Sequence, residues 1–197
     1  MEGGLPLCVV VEKMNGDVQY GTTEVKSQAA TPLFPGDGDA AMRFAICNEV
    51  FGDRPFADTF STIRKLGYSG VEIAPFTLLP TLAPFDIRQV NPERIVTVRQ
   101  QAEDAGLEIV GLHWLLAKTD GLHLTSPDPT VRRHTGEYLR ALVELCADLG
   151  GRVMVLGSPQ QRNLQPGMSY EDGEAYAAEV LHAVVPACAQ FHVMLAL

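Results

Sequence analysis

A glutamate inside an apolar run is costly to place, and Glu72 lies in one, Gly70-Val-Glu-Ile-Ala-Pro75. In an extended segment Val71 and Ile73 share one face, while Glu72 and Ala74 share the other. If both faces are buried, the carboxylate needs a partner, a hydrogen bond or a wet mouth. A structural glutamate held by a neighbouring backbone or an arginine is the competing reading. A second segment, Ile109-Val-Gly-Leu-His-Trp114, ends in a histidine. Ile109, Gly111 and His113 share a face, and the small Gly111 leaves room beneath His113. Neutral imidazole can ligate a metal, shuttle a proton or hydrogen-bond a hydroxyl; otherwise His113 is a satisfied core residue. Trp114, the only tryptophan, either walls a pocket or packs. A third segment runs through Leu156-Gly-Ser-Pro-Gln-Gln-Arg-Asn163. Gly157 and Ser158 allow close backbone approach, and Gln161 and Arg162 add polar reach; the alternative is a polar surface loop. Asn48 and Glu49 are further candidates for the same mouth. His123, His134, His182 and His192 lack a supporting pattern and receive no role.

The elements that must position these residues repeat one phrase: short apolar strand, loop, amphipathic helix, glycine, next strand. Strands are expected at 43–48, 70–75, 108–113, 152–157 and 192–197. The first helix carries Phe56, Phe60 and Ile63 at i, i+4, i+7, with Pro55 suited to N1 and Gly67 to C′. The second has Asn91 as N-cap, Pro92 at N1, and Ile95, Val98 and Ala102 on its apolar face. The third follows Asp128-Pro129, with Leu139, Leu142, Cys146 and Leu149 inward. The fourth follows Ser169 and carries Tyr176, Val180 and Val184; Pro186 is expected to kink or shorten its last turn.

Strict alternation with near-continuous apolar strands predicts an α/β fold with a parallel sheet. A doubly wound sheet and a (β/α)8 barrel both satisfy it. Five strands occupy residues 42–197, against about 250 residues for a full barrel. The chain also stops in Val193-Met-Leu-Ala-Leu197, a strand with no covering helix, which reads as a barrel cut short. In either architecture ligands bind at the C-terminal strand ends, where Glu72, His113 and the 157–163 stretch fall.

Composition narrows the partners. A formal net charge of −9 makes nucleic acid a poor partner. No stretch approaches the ~20 apolar residues of a membrane span, and residues 5–11 make no convincing signal peptide. The four cysteines, Cys8, Cys47, Cys146 and Cys188, show neither paired nor zinc spacing, so buried thiols in a cytoplasmic protein are expected. Residues 1–41 end in a Gly/Asp/Ala linker and read as an appendage to a domain at 42–197. They are either disordered or form a small hairpin, 9–12 with 17–20, around Asn15-Gly16. G-x-G-x-x-G, Walker A, G-x-S-x-G and H-E-x-x-H motifs are absent.

From Met42 onward, Met42-Arg-Phe-Ala-Ile-Cys, Leu66-Gly-Tyr-Ser-Gly-Val-Glu-Ile-Ala, Gly106-Leu-Glu-Ile-Val-Gly-Leu-His-Trp and Val155-Leu-Gly-Ser-Pro-Gln-Gln-Arg resemble the xylose isomerase-like sugar phosphate isomerase/epimerase superfamily. The resemblance implies a (β/α)8 TIM barrel, here incomplete with about five strands and an irregular N-terminal extension. It implies a small-molecule sugar or polyol substrate and a divalent metal, Mn²⁺, Mg²⁺ or Co²⁺, for the full-length protein. It also implies proton transfer at the carbon next to a carbonyl. By resemblance the metal ligands begin with a Glu after the fifth strand. No catalytic or metal residue is then expected in this chain, which would be an inactive fragment. Glu72, His113, Trp114, Ser158 and Arg162 are expected to bind substrate. Two alternatives stay open: an endonuclease IV-like abasic-site DNA repair enzyme, and a non-enzymatic binding module or remnant. In the last case a bare sheet edge could pair with another chain and form a homo-oligomer.

Overall fold

A computed structural model describes residues 10–14, 17–21, 43–157 and 159–197. The chain divides into two compact units, Met1–Ala40 and Ala41–Leu197. In the first, β1 (Val10–Met14) and β2 (Asp17–Gly21) pair antiparallel, from Val10 opposite Gly21 to Met14 opposite Asp17. The strands run slightly further than the expected hairpin; Asn15-Gly16 lies outside the described residues.

The second unit holds β3 (Ala45–Cys47), β4 (Gly70–Ile73), β5 (Glu108–Leu112), β6 (Val153–Val155) and β7 (Met194–Ala196) in one parallel sheet. Its spatial order is β3-β4-β5-β6-β7, the order of the sequence. A doubly wound sheet reverses its strand order at a switch point. Uninterrupted order is the barrel solution, and it separates the two architectures that periodicity leaves open. The crossovers are α1 (Phe56–Lys65), α2 (Pro92–Asp104), α3 (Pro129–Asp148) and α4 (Tyr170–Phe191).

Local chemistry sets the helix ends. Asn91 Oδ1 accepts from Glu93 N, Asp128 Oδ1 from Thr130 N, and Ser169 Oγ from Asp172 N, each satisfying an orphan first-turn donor. Pro92 and Pro129 occupy the first helical position, while Pro55 sits one residue earlier than expected, as the N-cap. At the end of α2, Gly106 N donates to Glu103 O and Leu107 N to Ala102 O. Gly106 has φ +69°, the left-handed geometry of a Schellman motif, which glycine adopts without a Cβ penalty.

Pro186 does not end α4, which continues to Phe191. The proline removes only the donor for the His182 carbonyl. Both residues are exposed, so water can replace that bond.

The apolar faces go inward. Phe60, Ile63, Ile73, Leu112, Leu139, Leu142, Leu149 and Met154 are fully buried. Each such side chain contributes roughly 1.5–3 kcal/mol on burial. Val98, Ala102, Val180 and Val184 are buried on α2 and α4, with Ile95 and Tyr176 half-buried.

Candidate functional site

The C-terminal ends of β3, β4 and β5 bring three chemically distinct side chains together. Cys47 lies opposite Glu72 across the β3–β4 pair. Glu72 lies opposite Gly111 across β4–β5, after a register shift between Val71 and Glu72. His113 N donates to Ile73 O at 3.1 Å, so His113 leaves β5 beside the end of β4. Its Nδ1 is 3.3 Å from Glu72 Oε2. The ligand atoms of Cys47, Glu72 and His113 all lie within 4.8 Å of one another.

The three differ in burial. The Glu72 and His113 side chains keep 26% and 34% of their surface, while Cys47 is buried at the base. Burial pushes the Cys47 thiol up to about 11. The Glu72 and Glu49 carboxylates add to this, and backbone N–H groups of Glu49 and Asn48 oppose it. A thiolate is disfavoured where water is excluded and negative charge is near.

The surrounding frame holds these groups in place. Asn48 is buried; its Oδ1 accepts from Ala74 N at 2.8 Å and its Nδ2 donates to Thr77 Oγ1 at 2.9 Å. It clamps the end of β3 to the end of β4, which is a structural role. Trp114 stacks on His113, with centroids 5.7 Å apart and planes inclined 22°. Its indole N–H donates to Glu49 Oε1 at 3.2 Å. Trp114 is exposed and holds φ +59°, a strained value for a bulky residue, so it is not a core packing residue. A Cβ at Gly157 would sit 3.6 Å from His113 Nε2, which puts the end of β6 beside that ring nitrogen.

The expected pocket residues therefore divide. Glu72, His113 and Trp114 come together. Arg162 is exposed, and among the described residues no hydrogen bond or ion pair joins it to them. Ser158 lies outside the described residues. The stretch after β6 is tied elsewhere: Asn163 Oδ1 lies 3.0 Å from His123 Nε2, and Asn163 O accepts from Thr125 Oγ1 at 2.6 Å. His123, which has no sequence pattern behind it, is thus a loop tie. Cys47 is the residue that sequence reasoning left aside; its only signal is its place as the last residue of the first barrel strand.

Parallel strands in sequence order, with polar groups converging at their C-terminal ends, define the class of β/α-barrel proteins. The chain belongs to the xylose isomerase-like TIM barrel family, whose profile matches residues 60–197. Among solved structures it is similar to a D-psicose 3-epimerase from Clostridium cellulolyticum H10, with TM-score 0.63 and 15% identity over 78% of this chain and 51% of that one. It is similar to an L-ribulose 3-epimerase, with TM-score 0.60 and 21% identity over 79% and 48%. It is also similar to a sugar phosphate isomerase/epimerase from Parabacteroides distasonis, with TM-score 0.55 and 17% identity over 81% and 52%. At such identities the likeness is one of fold. The chain spans about half the length of these structures. A search of curated proteins finds no match. Among the described residues no helix is long and apolar enough to cross a membrane.

Proposed function

We propose that the chain is part of a sugar or sugar-phosphate isomerase/epimerase that transfers a proton at the carbon next to a carbonyl. The carrying observation is the Glu72–His113 pair at two adjacent strand ends, in a fold shared with sugar epimerases. A carboxylate accepts and an imidazole both donates and accepts, so the pair can grip neighbouring hydroxyls of a sugar or polyol. Trp114 offers an apolar face for the C–H side of the ring. By the family resemblance, Ser158 and Arg162 are assigned to substrate binding as well.

By the family resemblance, the ligands for Mn²⁺, Mg²⁺ or Co²⁺ begin with a Glu just past β7 and continue on later strands, and the carboxylates that move the proton lie beyond Leu197 as well. Such an ion, when bound, polarises the carbonyl and hydroxyl oxygens. Among the described residues one group could hold an ion, Cys47, Glu72 and His113. A thiol there does not match the oxygen donors that Mg²⁺ and Mn²⁺ take, so these three residues do not fit either of those ions. Residues 1–197 by themselves are therefore proposed to bind sugar without turning it over. A cytoplasmic location fits the buried thiols Cys47 and Cys146, and a net charge of −9 disfavours nucleic acid as partner.

Trp114 is the only tryptophan and stacks on His113, so its fluorescence reads this site. Titration with ketoses, ketose phosphates and polyols should change the emission saturably, and Glu72→Gln or His113→Ala should weaken binding about tenfold or more. Tight binding of an abasic duplex, with no response to any sugar, would overturn the proposal.

A further inference from the structure

We propose that Cys47, Glu72 and His113 form a binding site for a thiophilic divalent ion of the Zn²⁺ class. The proposal goes beyond the sugar reading and does not depend on it.

The donor set is one sulfur, one oxygen and one imidazole nitrogen, from β3, β4 and the residue just past β5 of one sheet. Their ligand atoms lie within 4.8 Å of one another. Bonds of about 2.0–2.3 Å in a tetrahedral site separate ligand atoms by roughly 3.3–3.8 Å. Side-chain rotation of about 1 Å closes the difference without moving backbone. The 3.3 Å contact between His113 Nδ1 and Glu72 Oε2 is already at that spacing. An ion would take the place of the proton between them.

Charge favours the same occupant. A thiolate and a carboxylate together neutralise a divalent cation, leaving a neutral complex in a half-buried site. Coordination of the ion by Cys47 releases the thiol proton to solvent. Sulfur and imidazole donors select Zn²⁺ or Co²⁺ over Mg²⁺ and Ca²⁺.

Neighbouring groups limit how far the ligands move. Trp114 stacks on the His113 ring. Asn48, next to Cys47, clamps β3 to β4. Cys47 closes the base, while Glu72 and His113 are partly exposed. Three protein ligands then leave a fourth position facing solvent, the pattern of an ion that can take water or a ligand oxygen.

The test uses the 197-residue chain, titrated with Zn²⁺ against a chromophoric chelator and with Co²⁺ by absorption. The expected result is about one ion per chain, with a thiolate-to-cobalt charge-transfer band and the intense visible bands of tetrahedral Co²⁺. Bound Zn²⁺ should also protect Cys47 from maleimide, read by peptide mass spectrometry; this readout needs no variant. Cys47→Ser and His113→Ala should each weaken Zn²⁺ binding about a hundredfold or more, since losing a direct ligand costs at least as much as losing an outer-shell partner. Cys188→Ser should leave it unchanged. The proposal is overturned if Zn²⁺ fails to protect Cys47, if binding persists in Cys47→Ser, or if the cobalt spectrum is octahedral without a thiolate band. Sugar binding without Zn²⁺ binding would remove this inference alone; Zn²⁺ binding without sugar binding would remove only the sugar reading.

Discussion

His113 Nδ1 lies 3.3 Å from Glu72 Oε2, although 41 residues separate the two in sequence. An ionised carboxylate can only accept, so a neutral imidazole must donate from Nδ1 and carry its lone pair on Nε2. That nitrogen faces Gly157. The pair thus orients one acceptor toward the end of β6.

Both partners are a quarter to a third exposed, so solvent screens the contact. A double-mutant cycle with Glu72→Gln and His113→Ala should give a coupling energy below about 1 kcal/mol in urea unfolding. Ligand affinity in the same variants should fall about tenfold or more. Coupling of several kcal/mol with unchanged affinity would make the pair structural.

The buried thiols predict a pH effect on stability. Burial raises Cys47 to about 11 and Cys146 to about 12, from a usual value of 9.0. The unfolded chain loses these protons first, so between about pH 9 and 11 it binds fewer protons than the native state. Stability should therefore fall as pH rises through that window, by at most roughly 1.4 kcal/mol per pH unit per thiol. Urea melts of Cys47→Ala should show a shallower decline than the parent; a parallel decline would refute the assignment.

Two glycines near the site should respond oppositely to alanine. A Cβ on Gly111 would clash with the Val153 carbonyl group. Only main-chain movement relieves that, so Gly111→Ala should cost about 3 kcal/mol or more, or prevent folding. A Cβ on Gly157 makes ordinary contact with His113 Nε2. Gly157→Ala should keep the unfolding free energy from urea melts within about 0.5 kcal/mol of the parent while weakening ligand binding.

Arg132 joins the approach to α3 with α4. It is buried; it donates to Ser126 O, Pro127 O and Glu179 Oε2, and lies 4.1 Å from the centre of the Tyr176 ring. Arg132→Met should destabilise by about 1–3 kcal/mol, since the carbonyl of the buried Ser126 loses its donor. Glu179, 55% exposed, should cost under about 1 kcal/mol when changed to Gln. Thermal or urea unfolding of the two variants checks the order.

What the sequence determined by itself is local. The 3.6-residue spacing of Phe56, Phe60 and Ile63, the caps Asn91, Asp128 and Ser169, and the glycine after each of the first three helices act within one turn of chain. So does the placing of Glu72 and His113 in or at the end of apolar strands. Tertiary structure decided what depends on partners far along the chain. Sheet order separated barrel from doubly wound sheet, since both share the same alternation. The register shift at Val71–Glu72 set which side chains align, because cross-strand hydrogen bonds choose register. That pairing brought Cys47, which reads in sequence as a plain buried thiol, against Glu72 and His113. Close packing likewise made Asn48 a clamp and turned Trp114 onto His113 at a strained backbone angle. Neither follows from residue type, because each is set by a neighbour that only folding supplies.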